Sequence, residues 1–349
     1  MTEYETNPFT LSFGNKPLEY ISRVSEKQEL IDRITHYPPL SHFFVITGIR
    51  GSGKTVLLTS ISNYFDNDSD YIVIELNPED DLREALAAKL YSKCHIKRFF
   101  LEKNFSFSFS GVSFSISGKN PVLNIDDLLD KMFAELHRQN KKVIVLIDEA
   151  INNKYLKQFA LTVQILTRNE YDLFIVATSL YENISAIENE KNLTFLIRSP
   201  KIYLTNLNIA SIVNSYQEIL KVKYEKALEF AKLTKGYAFA FQLLGYLLYE
   251  SKEKILNSTI LSSFDQYLEE YVYNKVWNSL SPVEQDILKE FNSNDDVPVS
   301  KMMNALNMKK DYFSKYRERL IKKGIVYSSS RGQLTFALPR FKEFIDTRL

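Results

Sequence analysis

Two kinds of apolar patterning divide this chain. Between residues 43 and 204, short apolar runs alternate with segments of helical spacing. The runs are Phe43–Ile46, Tyr71–Leu76, Val143–Ala150, Leu173–Ala177 and Ile202–Leu204. The helical segments are Ser22–Tyr37, Val56–Tyr64, Asp80–Lys93, Ile125–Gln139 and Tyr155–Arg168. Strands alternating with helices predict an α/β layered domain with a parallel sheet. The run VIVLIDEA is too apolar for a sheet edge, so it belongs at the centre. Pro38 and Pro39 end the first helix.

From Asn208 to about Leu280 the pattern is helical throughout: Ile209–Val222, Tyr224–Thr234, Phe239–Ser251 and Ile260–Leu280, with Gly236 between the second and third. Ser281-Pro282 then restarts the chain as an N-cap followed by an N1 proline. Short helices are predicted at Val283–Phe291, Val299–Leu306 and Lys310–Lys323. A hairpin, Ile325–Tyr327 with Leu334–Ala337, flanks Ser328–Gly332. Three helices and a small hairpin predict a winged helix. The expected domains are 1–205, 206–280 (all helical) and 281–349.

Residues 104–118 break the pattern. Phe105, Phe107 and Phe109 alternate with serines, and after Gly111 so do Val112, Phe114 and Ile116. This period of two predicts an inserted β-hairpin with one aromatic face. Such a face requires a cover. It either folds onto the first domain, or pairs with its sheet, or docks a partner.

The 349 residues suit two or three domains. A net charge of +1 gives no global pull toward nucleic acid or anionic membrane, so any basic site is local. The single cysteine, Cys94, excludes an internal disulfide, and the four histidines lack paired metal-ligand spacing. No basic-then-apolar leader and no membrane-length apolar stretch is present, which leads us to expect a cytoplasmic protein without a membrane partner.

The chemistry concentrates after the first run. Gly48, Ile49, Arg50, Gly51, Ser52, Gly53, Lys54 and Thr55 read GIRGSGKT, the G-x-x-x-x-G-K-[ST] spacing of a phosphate-binding P-loop, with Val56 opening the helix. Glycines let backbone amides approach a phosphate closely. Lys54 brings a charge to the β- and γ-phosphates, and Thr55 is a magnesium ligand. Asp148 and Glu149 end the central strand about 95 residues later. Asp148 suits Mg²⁺ through water, and Glu149 suits the polarisation of an attacking water.

Thr178 and Ser179 end the next strand. There they either reach the γ-phosphate or its water, or cap the following helix. Arg198 precedes the last strand, as an arginine finger acting in trans or as a surface residue. Lys309–Lys323 holds seven basic and two acidic residues. Phe313, Tyr316 and Leu320 share its inward face, while Lys315, Arg319 and Lys322 lie opposite, with Arg331 in the wing. That helix suits the major groove of double-stranded DNA, a protein partner, or plain solvent.

With these motifs in place the chain resembles AAA+-related P-loop ATPases of the ASCE type, closest to the bacterial and archaeal "ATP-binding protein" branch near the origin-recognition and STAND ATPases. The carriers are Asn7-Pro-Phe through Phe13-Gly14, GIRGSGKT, LIDEA at Leu146–Ala150, FLIRSPKIYL at Phe195–Leu204, KGYAFAFQLLGY at Lys235–Tyr246 and SKYRERLIKKGIV at Ser314–Val326. The resemblance implies binding of ATP and ADP with Mg²⁺, hydrolysis, and a lid (206–280) that moves with nucleotide state. It also implies a P-loop strand next to a strand inserted before the LIDEA strand, and an adenine pocket from residues 7–23 and the lid.

Three features depart from the family. Ser22-Arg23 stands where Gly-Arg is common. Gly236 is followed by Tyr237, Ala238 and Phe239, so the lid lacks its sensor arginine. The polar sensor is Thr178 or Ser179 rather than asparagine. These losses fit slow hydrolysis or tight ADP retention. Two functions follow: an ATPase whose nucleotide state controls DNA binding, or a STAND-like signalling or assembly switch that self-associates or binds protein.

Overall fold

The computed structural model describes residues 6–11, 17–93, 107–109, 112–114, 124–188, 190, 196, 198–291 and 296–348. They fall into two compact units. One comprises Val24–Thr47 and Leu57–Ile202; the other comprises Met1–Arg23, Gly48–Val56 and Tyr203–Leu349.

The first of these is built on a sheet. Its strands are β1 (Phe43–Thr47), β2 (Tyr71–Leu76), β5 (Lys142–Ile147), β6 (Leu173–Ser179) and β7 (Lys201–Tyr203), in the order β2-β5-β6-β1-β7. The pairs β2·β5, β5·β6 and β1·β6 are parallel. Every residue of β1 and β6 is buried, which explains their lack of alternation. Contrary to what the resemblance implies, β1 does not adjoin a strand that precedes the LIDEA strand: its neighbours are β6 and β7, both later in the chain than β5. Strand β6 lies between β1 and β5 in space although it follows β5 in the chain.

Helices Val24–Thr35, Leu82–Lys93, Ile125–Arg138 and Lys154–Arg168 match the sequence pattern to within a few residues. Two of them start at asparagine caps. The Asn124 side chain accepts from Asp127 N–H at 2.8 Å, and Asn153 from Leu156 N–H at 2.8 Å. A short helix, Tyr181–Glu188, has no visible pattern in the sequence; it buries only Ile184 and Ile187.

Of the inserted hairpin, β3 (Phe107–Phe109) and β4 (Val112–Phe114) pair antiparallel, with Ser108 opposite Ser113. They form a two-stranded sheet of their own rather than extending the larger one. Residues 104–106, 110–111 and 115–118 lie outside the described residues.

The second unit carries helices Ile209–Leu220, Tyr224–Leu233, Ala238–Glu250 and Ser258–Leu268. The long helix expected over Ile260–Leu280 is instead interrupted. Glu269–Tyr273 is a π-helical turn, followed by Asn274–Asn278. The turn buries Tyr273, whose hydroxyl donates to the Pro339 carbonyl. The N-terminal segment packs on helix Ala238–Glu250. Thr10 N–H donates to Gln242 Oε1 at 3.1 Å, and Gln242 Nε2 donates to the Glu19 carbonyl at 2.8 Å. Phe9 is buried against Tyr216 and Phe241, and a Cβ at Gly245 would come within 2.6 Å of its ring.

The C-terminal part runs helix Pro282–Lys289, β8 (Asp296–Pro298), helix Val299–Ala305, helix Lys310–Lys322, β9 (Val326–Tyr327), β10 (Gln333–Phe336) and helix Phe341–Asp346. The expected hairpin is β9 with β10. The pattern does not reveal β8, which pairs antiparallel with β10 to make a sheet in the order β8-β10-β9. Ser281 and Glu284 form a capping box at the first of these helices.

Glu284 also holds Lys323 at 3.0 Å, with both side chains buried (3% and 9% exposed). Burial pushes the Glu284 carboxyl up, but the Ser281 N–H and hydroxyl and the Lys323 ammonium outweigh it and leave it below its ordinary value. A depressed carboxylate stabilises the fold above its unfolded pKa, and that contribution is lost as pH falls through the folded value. Glu284→Gln, which leaves Lys323 buried without its counter-charge, is expected to cost roughly 3 kcal/mol near neutral pH. It should also flatten the loss of stability toward acid, below about pH 4. Thermal melts of wild type and variant across that range measure both effects.

Candidate nucleotide site

The P-loop, Gly48–Thr55, leads into helix Lys54–Asp66. Gly51 (φ +75°) and Gly53 (φ +92°) occupy left-handed conformations that L side chains resist. The organising feature of the loop is what its carbonyls do. Five in succession accept hydrogen bonds. Lys54 Nζ donates to Gly48 O at 2.9 Å and to Ile49 O at 3.0 Å. Ser52 N–H also donates to Ile49 O, at 3.1 Å. The Tyr237 hydroxyl donates to Arg50 O at 2.5 Å, Phe239 N–H to Gly51 O at 3.1 Å, and Arg23 Nη2 to Ser52 O at 2.9 Å.

Only Lys54 and Ser52 are local to the loop. Arg23 lies just before helix Val24–Thr35, and its Nη2 also donates to the Thr205 carbonyl at 2.7 Å. Tyr237 and Phe239 open the helix Ala238–Glu250. They approach so closely that a Cβ at Gly51 would lie 2.4 Å from the Tyr237 hydroxyl oxygen. Ile49 is buried in the same apolar cluster as Tyr237, Phe239 and Leu320. Spacing alone gives no sign that Arg23 and Tyr237 grip the loop.

The loop's donor groups fit a phosphate. Lys54 is a buried ammonium among backbone carbonyls. Ser52 Oγ is buried without a hydrogen-bond partner, an arrangement that costs about 1–3 kcal/mol unless a ligand oxygen supplies one. For magnesium, the Thr55 hydroxyl and the Asp148 carboxylate are hard oxygen ligands of the right class. Among the described residues no cluster of three or more His, Cys, Asp or Glu makes a metal cage. An ion keeping several waters needs none.

The acidic motif lies at the C-terminal end of β5. Glu149 is exposed and adopts φ +54°, an uncommon backbone state for glutamate. Thr178 and Ser179, both buried at the end of β6, hold it there. Thr178 Oγ1 donates to Asp148 Oδ1 at 2.5 Å and accepts from Glu149 N–H at 2.8 Å. Ala150 N–H donates to the Thr178 carbonyl at 2.7 Å, and Ser179 Oγ donates to the Ala150 carbonyl at 2.6 Å. The protons of both hydroxyls are therefore committed to the acidic turn. The parallel register aligns Ile46 with Thr178 and Thr47 with Ser179, at the same sheet edge from which β1 runs on into Gly48.

Arg198 is exposed in the turn before β7. In helix Lys310–Lys322, Phe313 and Leu320 are buried and Lys315 and Arg319 are exposed. Lys322 pairs with Glu318 at 2.6 Å, and the Arg319 guanidinium lies 5.5 Å from the centroid of the Tyr316 ring. Arg331 is exposed between β9 and β10.

Sheet order, P-loop and acidic strand end together define the fold of an AAA+-related P-loop ATPase. Residues 28–193 match the family model of an ATPase domain predominantly from Archaea. Residues 270–345 match the model of a domain of unknown function. No curated protein matches the sequence. Among solved structures the chain is similar to the Walker-type ATPase PABY2304 of Pyrococcus abyssi, at 16% identity over 93% of this chain and 95% of that one, with a TM-score of 0.58. It is similar to the ORC2 protein of Aeropyrum pernix in its ADPNP–ADP complexes, at 15% identity over 96% of each chain, TM-score 0.56. It is also similar to Cdc6p of Pyrobaculum aerophilum, at 13% identity over 97% and 96%, TM-score 0.51. At such identities the fold is what is shared. No helix among the described residues is long and apolar enough to cross a membrane.

Thr178→Val keeps the shape of the side chain and removes the hydroxyl that serves Asp148 and Glu149. The expected loss is about 1–3 kcal/mol of stability, largely recovered in Thr178→Ser, as read by denaturant unfolding.

Proposed function

We propose that this chain binds ATP with magnesium and hydrolyses it, and that its nucleotide state governs a C-terminal winged-helix domain that engages double-stranded DNA. The observation that carries the first part is the anchored P-loop: carbonyls held from behind, a buried lysine, and a buried hydroxyl lacking a partner. In this reading the loop amides and Lys54 hold the phosphates. Thr55 and Asp148 hold the magnesium, which neutralises charge on the phosphate oxygens. Glu149 orients the attacking water, while Thr178 keeps Asp148 and Glu149 in their turn. Arg198 supplies charge from a neighbouring subunit. The A. pernix ORC2 protein, which shares the fold, was solved with ADPNP and ADP.

For the second part, the order helix, strand, helix, helix and hairpin supports reading residues 281–349 as a winged helix. Lys315, Arg319, Lys322 and Arg331 would meet DNA phosphates. One observation favours the other reading, a STAND-like switch that binds protein. Tyr312 is about half exposed, packs edge-on to Tyr316, and shares the face with Arg319 and the Lys322–Glu318 pair. A face that mixes rings with both signs of charge suits a protein surface.

Lys54→Ala is expected to abolish ATP binding in calorimetric titration. Glu149→Gln is expected to keep binding while phosphate release falls roughly 10²–10⁴-fold. DNA retention by wild type should weaken steeply with salt. In the Lys315→Ala/Arg319→Ala/Lys322→Ala variant the slope should drop by about 0.9 for each phosphate that is no longer neutralised. Indifference to DNA, combined with ATP-dependent self-association that Arg198→Ala removes, would select the switch.

A further inference from the structure

A phenol stands beside the P-loop at the start of helix Ala238–Glu250. We propose that Tyr237 is a positioning residue for the P-loop: it fastens the lid to the loop's outer side and keeps the loop amides aimed at a bound phosphate. The inference rests on the nucleotide reading above and adds how affinity is set.

The hydroxyl donates to Arg50 O, and two residues on, in the same first turn, Phe239 N–H donates to Gly51 O. Two adjacent peptide units are thus held from the same element. A peptide unit whose carbonyl is fixed has its N–H direction fixed as well, because the group is planar: Tyr237 thereby sets Gly51 N–H, while Ser52 N–H, in the unit held by Phe239, donates back to Ile49 O. Tyr237 is buried, and burial pushes its hydroxyl well above the ordinary tyrosine value. It therefore stays a neutral donor across the physiological range. The missing side chain at Gly51 completes the fit, since any Cβ there would collide with the phenol.

An arginine that senses phosphate acts on the ligand. Tyr237 acts on the loop, so the loop is preset and nucleotide binding does not require the lid to swing. The bond should matter equally for any nucleotide whose phosphates enter the loop.

The test compares Tyr237→Phe with wild type for ATP and for ADP by calorimetric titration. Hydrogen exchange at residues 50–54 is followed in both proteins without nucleotide. The proposal expects both affinities to fall by the same factor, about tenfold for one buried hydrogen bond, with faster exchange at the loop amides. Unchanged affinities overturn it. A loss confined to ATP also overturns it, since the phenol would then serve the γ-phosphate. If wild type binds no nucleotide, the nucleotide reading fails by itself, and exchange alone decides the positioning role: unchanged exchange in Tyr237→Phe overturns it.

Discussion

The structure depends on how the backbone of Gly48–Ser52 is held through its carbonyls. A phosphate-binding loop must leave its amides open, so its shape cannot come from packing side chains over them. Here the constraint is met from behind. Each carbonyl from Gly48 to Ser52 accepts a donor, and three of the donors belong to residues 23, 237 and 239. Bonds from the far side immobilise the loop and leave its working side free for chemistry. Gly51 is needed both for its positive φ and because the Tyr237 phenol leaves no room for a side chain, whereas Gly53 is needed for its positive φ alone.

The acidic turn follows the same logic. A glutamate at positive φ is an unfavourable choice for a tight turn, and four hydrogen bonds from the end of β6 offset it. Thr178 and Ser179 therefore act as structural partners of Asp148 and Glu149. In the P-loop and in the acidic turn alike, hydrogen bonds from residues outside the motif set the positions of the residues within it.

The sequence reveals much of this and conceals a definable remainder. Strands β1, β5 and β6 are legible because burial on both faces leaves uninterrupted apolar runs. The P-loop is legible because its glycines and lysine are required at fixed spacing. The π-turn at Glu269–Tyr273 is not, because inserting one residue into a helix leaves the apolar spacing nearly intact. Strand β8 and helix Phe341–Asp346 are too short to show a period. Arg23 and Tyr237 belong to no spacing motif in the sequence. A carbonyl's partner leaves no spacing of its own, so their bonds to the loop become visible only in three dimensions.

The seat of Phe9 has a consequence for how the molecule is made. Thr10 and Gln242, which hold the segment in place, are separated by 232 positions. The segment around Phe9 thus finds its resting place only once the residues around Gln242 are present. A fragment starting at the lid would lack the ring that fills the space over Gly245. The unit is stitched together from distant stretches, and closing it carries the entropy of a very long loop.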